Sequence, residues 1–248
     1  MILIGNGRVI TNDENERIIE NGCIVIEGNT IKEVGDTSLI KCKYEDNEHE
    51  YIDAEGKIIM PGMINTHHHI YSEFARGLDF KNEKLQSFTD ILKNVWWKLD
   101  KKLTLEDLRY SAYTAFIECI KNGVTTVFDH NSSPMSISGS LPTISNVADE
   151  LGIRGCYCYE VSDRDGNRVL DLAIKENIDF IKYAEKKQDD MRHHLQAERP
   201  EVAAKVKFYI GNVRQREAVD FAMNGVDYVF AAAALKQVPS CEFFPMEA

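Results

Sequence analysis

Nowhere in this sequence do about 18 apolar residues run together, so it offers no helix able to span a bilayer. Its start, Met1-Ile-Leu-Ile-Gly-Asn-Gly7, lacks the basic segment and long apolar core of a signal peptide, and the expected location is the cytoplasm. Positive charge is scarce: 29 Lys and Arg stand against 40 Asp and Glu, a formal net charge of −11. Phosphate binding needs a basic face, so this excludes nucleic acid as a general partner, though not a small anion held by a few local groups. The six cysteines, Cys23, Cys42, Cys119, Cys156, Cys158 and Cys241, are scattered, and without an export signal they form no disulfide framework. Cys156-Tyr-Cys158 falls inside an apolar strand pattern, Ile153–Tyr159, where cysteine is expected as a small hydrophobe rather than a metal or redox pair. The 248 residues suffice for one large domain or two small ones.

What is present is a histidine cluster, Pro61-Gly-Met-Ile-Asn-Thr-His67-His68-His69, fed by the apolar run Lys57-Ile-Ile-Met60. It reads as a buried strand ending in imidazoles. Strand side chains alternate, so His67 and His69 share one face and His68 takes the other. Two imidazoles on one side of a strand end can grip one metal ion, and neutral imidazole suits zinc or iron. Three solvated histidines on a surface loop are the alternative.

The first 58 residues read as short strands, Ile2–Ile4, Arg8–Thr11, Cys23–Glu27 and Thr30–Val34, with hairpin turns at Asn6-Gly7 and Gly28-Asn29. Gly5-Asn-Gly7-Arg-Val-Ile10 opens like a dinucleotide fingerprint but lacks the third glycine and the helix, so a turn explains it. Lys41–Glu50 is expected as a charged loop with His49 exposed. Beyond the histidines the pattern predicts a helix over 87–101, a helix opened by the capping box Thr104-Leu-Glu-Asp107, and a buried strand Val124–His130. A helix at 141–151, a strand at 153–161 and a helix from about Arg168 follow. This alternation is that of a β/α barrel in progress. Arg76, in the loop after the histidines, either holds an anionic substrate or pairs a loop carboxylate. His130, at a strand end, is a candidate pocket-lining residue. Trp96 and Trp97 are expected in core or pocket wall.

The run Asp53-Ala-Glu-Gly-Lys-Ile-Ile-Met-Pro-Gly-Met-Ile-Asn-Thr-His-His-His69 resembles the entry into the barrel of the amidohydrolase superfamily. Within it, the cytosine-deaminase and chlorohydrolase branch and the aminohydrolases associated with selenium metabolism are most alike. The resemblance implies a small β-sandwich over 1–58 and a TIM-type β/α barrel from 59, with His67 and His69 as metal ligands. It also implies hydrolysis of C–N bonds other than peptide bonds in a small nitrogen heterocycle or amidine-like substrate. The implied cofactor is a divalent metal, zinc or else iron. In that family a third histidine from a middle strand and a last-strand aspartate complete the metal site, and a glutamate near that histidine shuttles the proton. No histidine here follows His194, so the acid–base group has no counterpart and the barrel, covered over 59–185, is incomplete.

From about Lys186 the character changes. Lys205-Val-Lys-Phe-Tyr-Ile-Gly-Asn-Val-Arg214 and Gly225-Val-Asp-Tyr-Val-Phe-Ala-Ala-Ala-Ala-Leu-Lys-Gln-Val-Pro239 resemble nucleotide-sugar 4,6-dehydratases, extended short-chain dehydrogenases. This implies a Rossmann-like α/β fragment over 186–248. Asn212 stands where that family has an adenine-side aspartate and Ala231 where it has a histidine. No glycine-rich phosphate turn precedes the segment, so no cofactor-binding residue is assigned. His193 and His194, about 100° apart on a helix, are poor partners for one metal. The sequence reads as a chimera with its junction near Lys187–Met191, arising from a recombined reading frame or an assembly artefact. The expected behaviour is that of a metal-dependent aminohydrolase, truncated and inactive as a monomer. The alternatives are a UDP-N-acetylglucosamine 4,6-dehydratase-like fragment and a non-enzymatic relic that self-associates.

Overall fold

A computed structural model describes residues 1–12, 17–28, 30–78 and 86–198, with side chains as far as Lys187. Of the Rossmann-like segment expected over 186–248, residues 199–248 therefore lie outside the described residues. The chain is mixed α/β and divides into two compact units, Met1–Met63 and Ile64–Ala248.

In the first unit β1 (Ile2–Ile10) is central. β2 (Ile18–Glu27) pairs with it antiparallel and β3 (Thr30–Asp36) pairs with β2, while β4 (Glu50–Asp53) and β5 (Ile58–Ile59) run parallel to β1. The alternation of Leu3, Cys23 and Val25 sends them to one face, where helix α1 (Thr37–Lys43) covers them with Ile40 and Tyr44. Asp36 caps α1, its Oδ1 accepting from the Ser38 and Leu39 amides at 2.8 and 3.3 Å. Described residues of this unit thus form one sheet backed by a helix. Two local expectations are corrected. Asn6-Gly7 is not a hairpin turn: the register with β2 shifts there and Asn6 takes φ +56°, so it is a bulge in a continuous strand. The start of the Lys41–Glu50 loop is the last turn of α1, because the Asp36 cap and lysines at the C-terminal end favour helix.

The second unit is built on a three-stranded sheet in the order β6 (Met63–His68), β7 (Val124–Asn131), β8 (Arg154–Tyr159). A 3₁₀ turn, Ile70–Ala75, follows β6. Helices α2 (Phe88–Ile91) and α3 (Trp97–Asp100), joined by a π turn over Leu92–Trp96, lead to α4 (Leu105–Lys121). α5 (Ser140–Leu151) separates β7 from β8, which run parallel, and α6 (Asn167–Glu198) follows β8. The odd-numbered side chains Val127, Tyr157 and Tyr159 face Ala112, Phe116, Leu141, Ile144 and Val147 of α4 and α5 in one apolar core. Buried Glu176 of α6 ties α5 down, accepting from the Gly139 and Leu141 amides at 2.9 and 3.0 Å. α6 runs unbroken through 187–191, the junction expected from the sequence. Among the described residues no helix is long and apolar enough to cross a membrane.

The expected buried strand at 57–60 is corrected. Ile58 and Met60 are 59% and 55% exposed, and Pro61-Gly62 splits the run between β5 and β6. Cys156 and Cys158 are exposed as well. They alternate with the buried tyrosines, and no described element covers their face of the sheet. α4 begins with the expected box: Thr104 Oγ1 accepts from the Asp107 amide and Asp107 Oδ2 accepts from the Thr104 amide at 2.8 Å. Thr104→Ala should lower stability by about 1 kcal/mol, read as a lowered urea midpoint with an unchanged slope.

Candidate metal centre

Three loops leave the ends of β6, β7 and β8, and the site is assembled from them. Asn65 Oδ1 accepts from the His67 amide at 3.3 Å at the close of β6. His67 and His69 then point to one side, with their Nε2 atoms 3.1 Å apart and their rings perpendicular at 4.8 Å between centroids. The backbone carbonyl of His130 accepts a hydrogen bond from His69 Nδ1 at 3.1 Å. That bond fixes the tautomer, since an imidazole protonated on Nδ1 carries its lone pair on Nε2. Two nitrogens on tetrahedral zinc, at bonds of about 2.0–2.1 Å, lie about 3.3 Å apart. The observed pair is close to that spacing, and its nitrogens are of the donor type zinc takes. Among the described residues no group of three His, Cys, Asp or Glu side chains converges on one point.

His68 takes the opposite face, as the alternation requires. Its Nδ1 lies 3.9 Å from Oδ1 of Asp129, which is wholly shielded on β7 and accepts from the Ile70 amide at 2.7 Å. Burial lowers the His68 pKa and raises that of Asp129 to about 7, against the pull of its hydrogen bonds from the Ile70 and His130 amides. A carboxyl raised by folding stabilises the fold fully below its unfolded value, and that contribution is lost as pH rises through about 7. The loss amounts to a few kcal/mol. Asp129→Asn keeps an acceptor for Ile70, so it should raise the melting temperature at mildly alkaline pH and flatten the profile between about pH 4 and 7. An unchanged pH profile in that variant would refute this.

His67 and His69 open onto a cavity of ≈390 Å³, walled by Tyr71, Phe88, Trp96 and Trp97 and edged by Glu160 and Arg164 from the loop after β8. Behind that edge lies a polar network. Ser132, the first residue past β7, sits with its Oγ 2.8 Å from Glu160 Oε2 and 3.1 Å from Asp100 Oδ2, and accepts from Arg164 Nη2 at 3.0 Å. Arg164 also pairs with Asp100 at 3.2 Å, Glu160 at 2.7 Å and Asp165 at 3.3 Å. The sequence reading missed these residues. The polar run Glu160-Val-Ser-Asp-Arg-Asp165 directly after an apolar strand was the available signal.

Of the other candidates, Arg76 pairs with Glu73 on its own 3₁₀ turn and borders a more open hollow beside His67 and His68. The His130 ring lies edge-on to His69 at 5.4 Å but is not in the cavity wall. Its contribution is the carbonyl that holds His69. His193 and His194 lie on α6, with side chains beyond the described ones.

The histidine pair opens onto the cavity at the ends of a mixed α/β sheet in which β7 and β8 run parallel, and comparison with known proteins finds chains similar to this one. The zinc complex of atrazine chlorohydrolase TrzN from Arthrobacter aurescens TC1 is 28% identical with a TM-score of 0.53, over 64% of this chain and 35% of its own. The guanine deaminase of E. coli, at 19% identity and the same TM-score over 74% and 44%, supports the fold alone. The other end of the chain has different relatives. The family described as "Polysaccharide biosynthesis protein" matches residues 166–248. UDP-glucose 4-epimerases of Rickettsia typhi and Rickettsia felis are 52% and 51% identical over 90 residues, 34% of this chain and 25% of theirs. The chain therefore spans about a quarter of the epimerases and about a third of the chlorohydrolase. It is a chimera in resemblance, amidohydrolase-like at its N-terminal end and like a nucleotide-sugar enzyme at its C-terminal end.

Proposed function

We propose that residues 1–185 descend from a metal-dependent hydrolase acting on C–N bonds other than peptide bonds. In this reading 1–58 is the β-rich flank, 59–185 the partial barrel and 186–248 a nucleotide-sugar-enzyme fragment. His67 and His69 hold one divalent ion, zinc before iron, which when bound supplies Lewis-acid and hydroxide chemistry near neutral pH. The observation that carries this is the 3.1 Å convergence of the two Nε2 atoms, with His69 locked in the ligand tautomer by the His130 carbonyl. The zinc-bound chlorohydrolase relative supports the same reading. The partner is a small nitrogen heterocycle or amidine-like molecule, with self-association the route to a fuller site. Nucleic acid and membrane have no place in it.

A catalytic zinc site uses three protein ligands and a water. Among the described residues two histidines converge, so the reading is one of metal binding without turnover in the monomer. Zinc-loaded protein incubated with cytosine, guanine and an aminotriazine should release no ammonia above the metal-free control. Turnover at stoichiometric zinc would sink the claim of inactivity while leaving the ancestry intact. The second reading, a dinucleotide-dependent nucleotide-sugar enzyme of dehydratase or epimerase type, is favoured by the 52% identity over 90 residues. The glycine-rich turn it needs is missing from this sequence, so calorimetry with a nicotinamide dinucleotide should record no heat of binding.

A further inference from the structure

We infer that the cavity beside His67 and His69 selects flat cationic ligands of the amidinium or guanidinium type and turns away carboxylates and phosphates. This rests on the hydrolase reading for the meaning of the site, but the binding itself needs no metal.

The argument starts from charge. Among the described residues Arg164 is the cation in the cavity wall, and the two ends of its fork are engaged, Nη1 with Glu160 and Nη2 with Asp100 and Ser132, while Nε lies 3.3 Å from Asp165 without a hydrogen bond to it. Its side chain is only 17% exposed, and its guanidinium carbon lies 5.3 Å from the Trp97 ring centre. An arginine whose two terminal nitrogens are both held by carboxylates does not present its paired fork to an incoming anion. Lys101, 2.5 Å from Asp165, is paired in the same cluster. Among the described residues that line the opening, Glu160 and Asp163 set two carboxylates against the one guanidinium of Arg164. A cleft of one sign with low-dielectric walls focuses its field, here negative, and rejects like charge.

The walls supply the second half. Tyr71, Phe88, Trp96 and Trp97 present aromatic surface around a space of ≈390 Å³, within the range of small-molecule sites. Aromatic faces attract planar cations, and tryptophan does so best. Glu160, held at the wall by Arg164 and Ser132 through Oε2, adds carboxylate charge to that aromatic surface. Arg76, the other arginine near the histidines, pairs with Glu73.

The sequence has two tryptophans, and both are in this wall, so intrinsic fluorescence reports on the cavity. The full chain, in chelator, is titrated with benzamidinium, with benzamide as its neutral isostere and with benzoate as the anion. Benzamidinium should give a saturable change, benzamide one at least roughly tenfold weaker, and benzoate none. Glu160→Gln should weaken benzamidinium at least roughly tenfold and leave benzamide unmoved. Equal binding of benzamide, saturable binding of benzoate, no response to benzamidinium, or an unaltered Glu160→Gln affinity would each overturn the inference. Because metal is withheld throughout, the outcome is separate from whether His67 and His69 take zinc.

Discussion

Replacing either His67 or His69 with alanine lowers zinc affinity by at least roughly a hundredfold in equilibrium dialysis. Loss of an outer partner alone costs ten- to a hundredfold, and here a direct ligand of a two-histidine grip is removed. His68→Gln is the control, since His68 faces Asp129 on the other side of the strand and should leave affinity within a few-fold. His130 gives a subtler comparison. It contributes a backbone carbonyl to His69, so His130→Ala should weaken zinc far less than His69→Ala. If all four variants lose zinc equally, the metal is held elsewhere or by unfolded chain.

The second large effect is on stability. Arg164→Leu should destabilise the fold by about 3 kcal/mol, read from urea unfolding at constant slope. Asp100 is fully buried, and taking away its cation leaves a carboxylate in a place where charge is costly. The figure is at the low end for a broken buried pair because Ser132 can still donate to Asp100. The double variant Arg164→Leu with Asp100→Leu should recover part of the loss, since removing both charges is far less costly than removing one. Its failure to recover any would place the role of Arg164 in packing over Trp97 instead.

The site was legible in the sequence where local rules decide it. Period-two alternation placed His67 and His69 on one side and His68 on the other, and the rings lie that way. The Thr104 box placed the start of α4 correctly. What the sequence hid depends on contacts far apart in the chain. The network of Asp100, Ser132, Glu160 and Arg164 gathers residues 32 and 64 positions apart, and no spacing pattern encodes that. Asn6-Gly7 reads as a turn because both residues tolerate positive φ, but that freedom also suits a bulge, and pairing with β2 and β4 selects the bulge. Cys156 and Cys158, read as small hydrophobes in an apolar run, are free and alternate along β8 with the buried tyrosines, and which face of such a run is covered depends on a second layer that the run itself does not encode.

X-ray absorption at the zinc edge of the full chain, loaded with one equivalent of zinc, tests the central claim most directly. The account expects two imidazole ligands at about 2.0–2.1 Å with oxygen completing the shell, and loss of imidazole scattering in a His67→Ala, His69→Ala double variant. A shell of sulfur, or one whose imidazole signal survives that double variant, would contradict it.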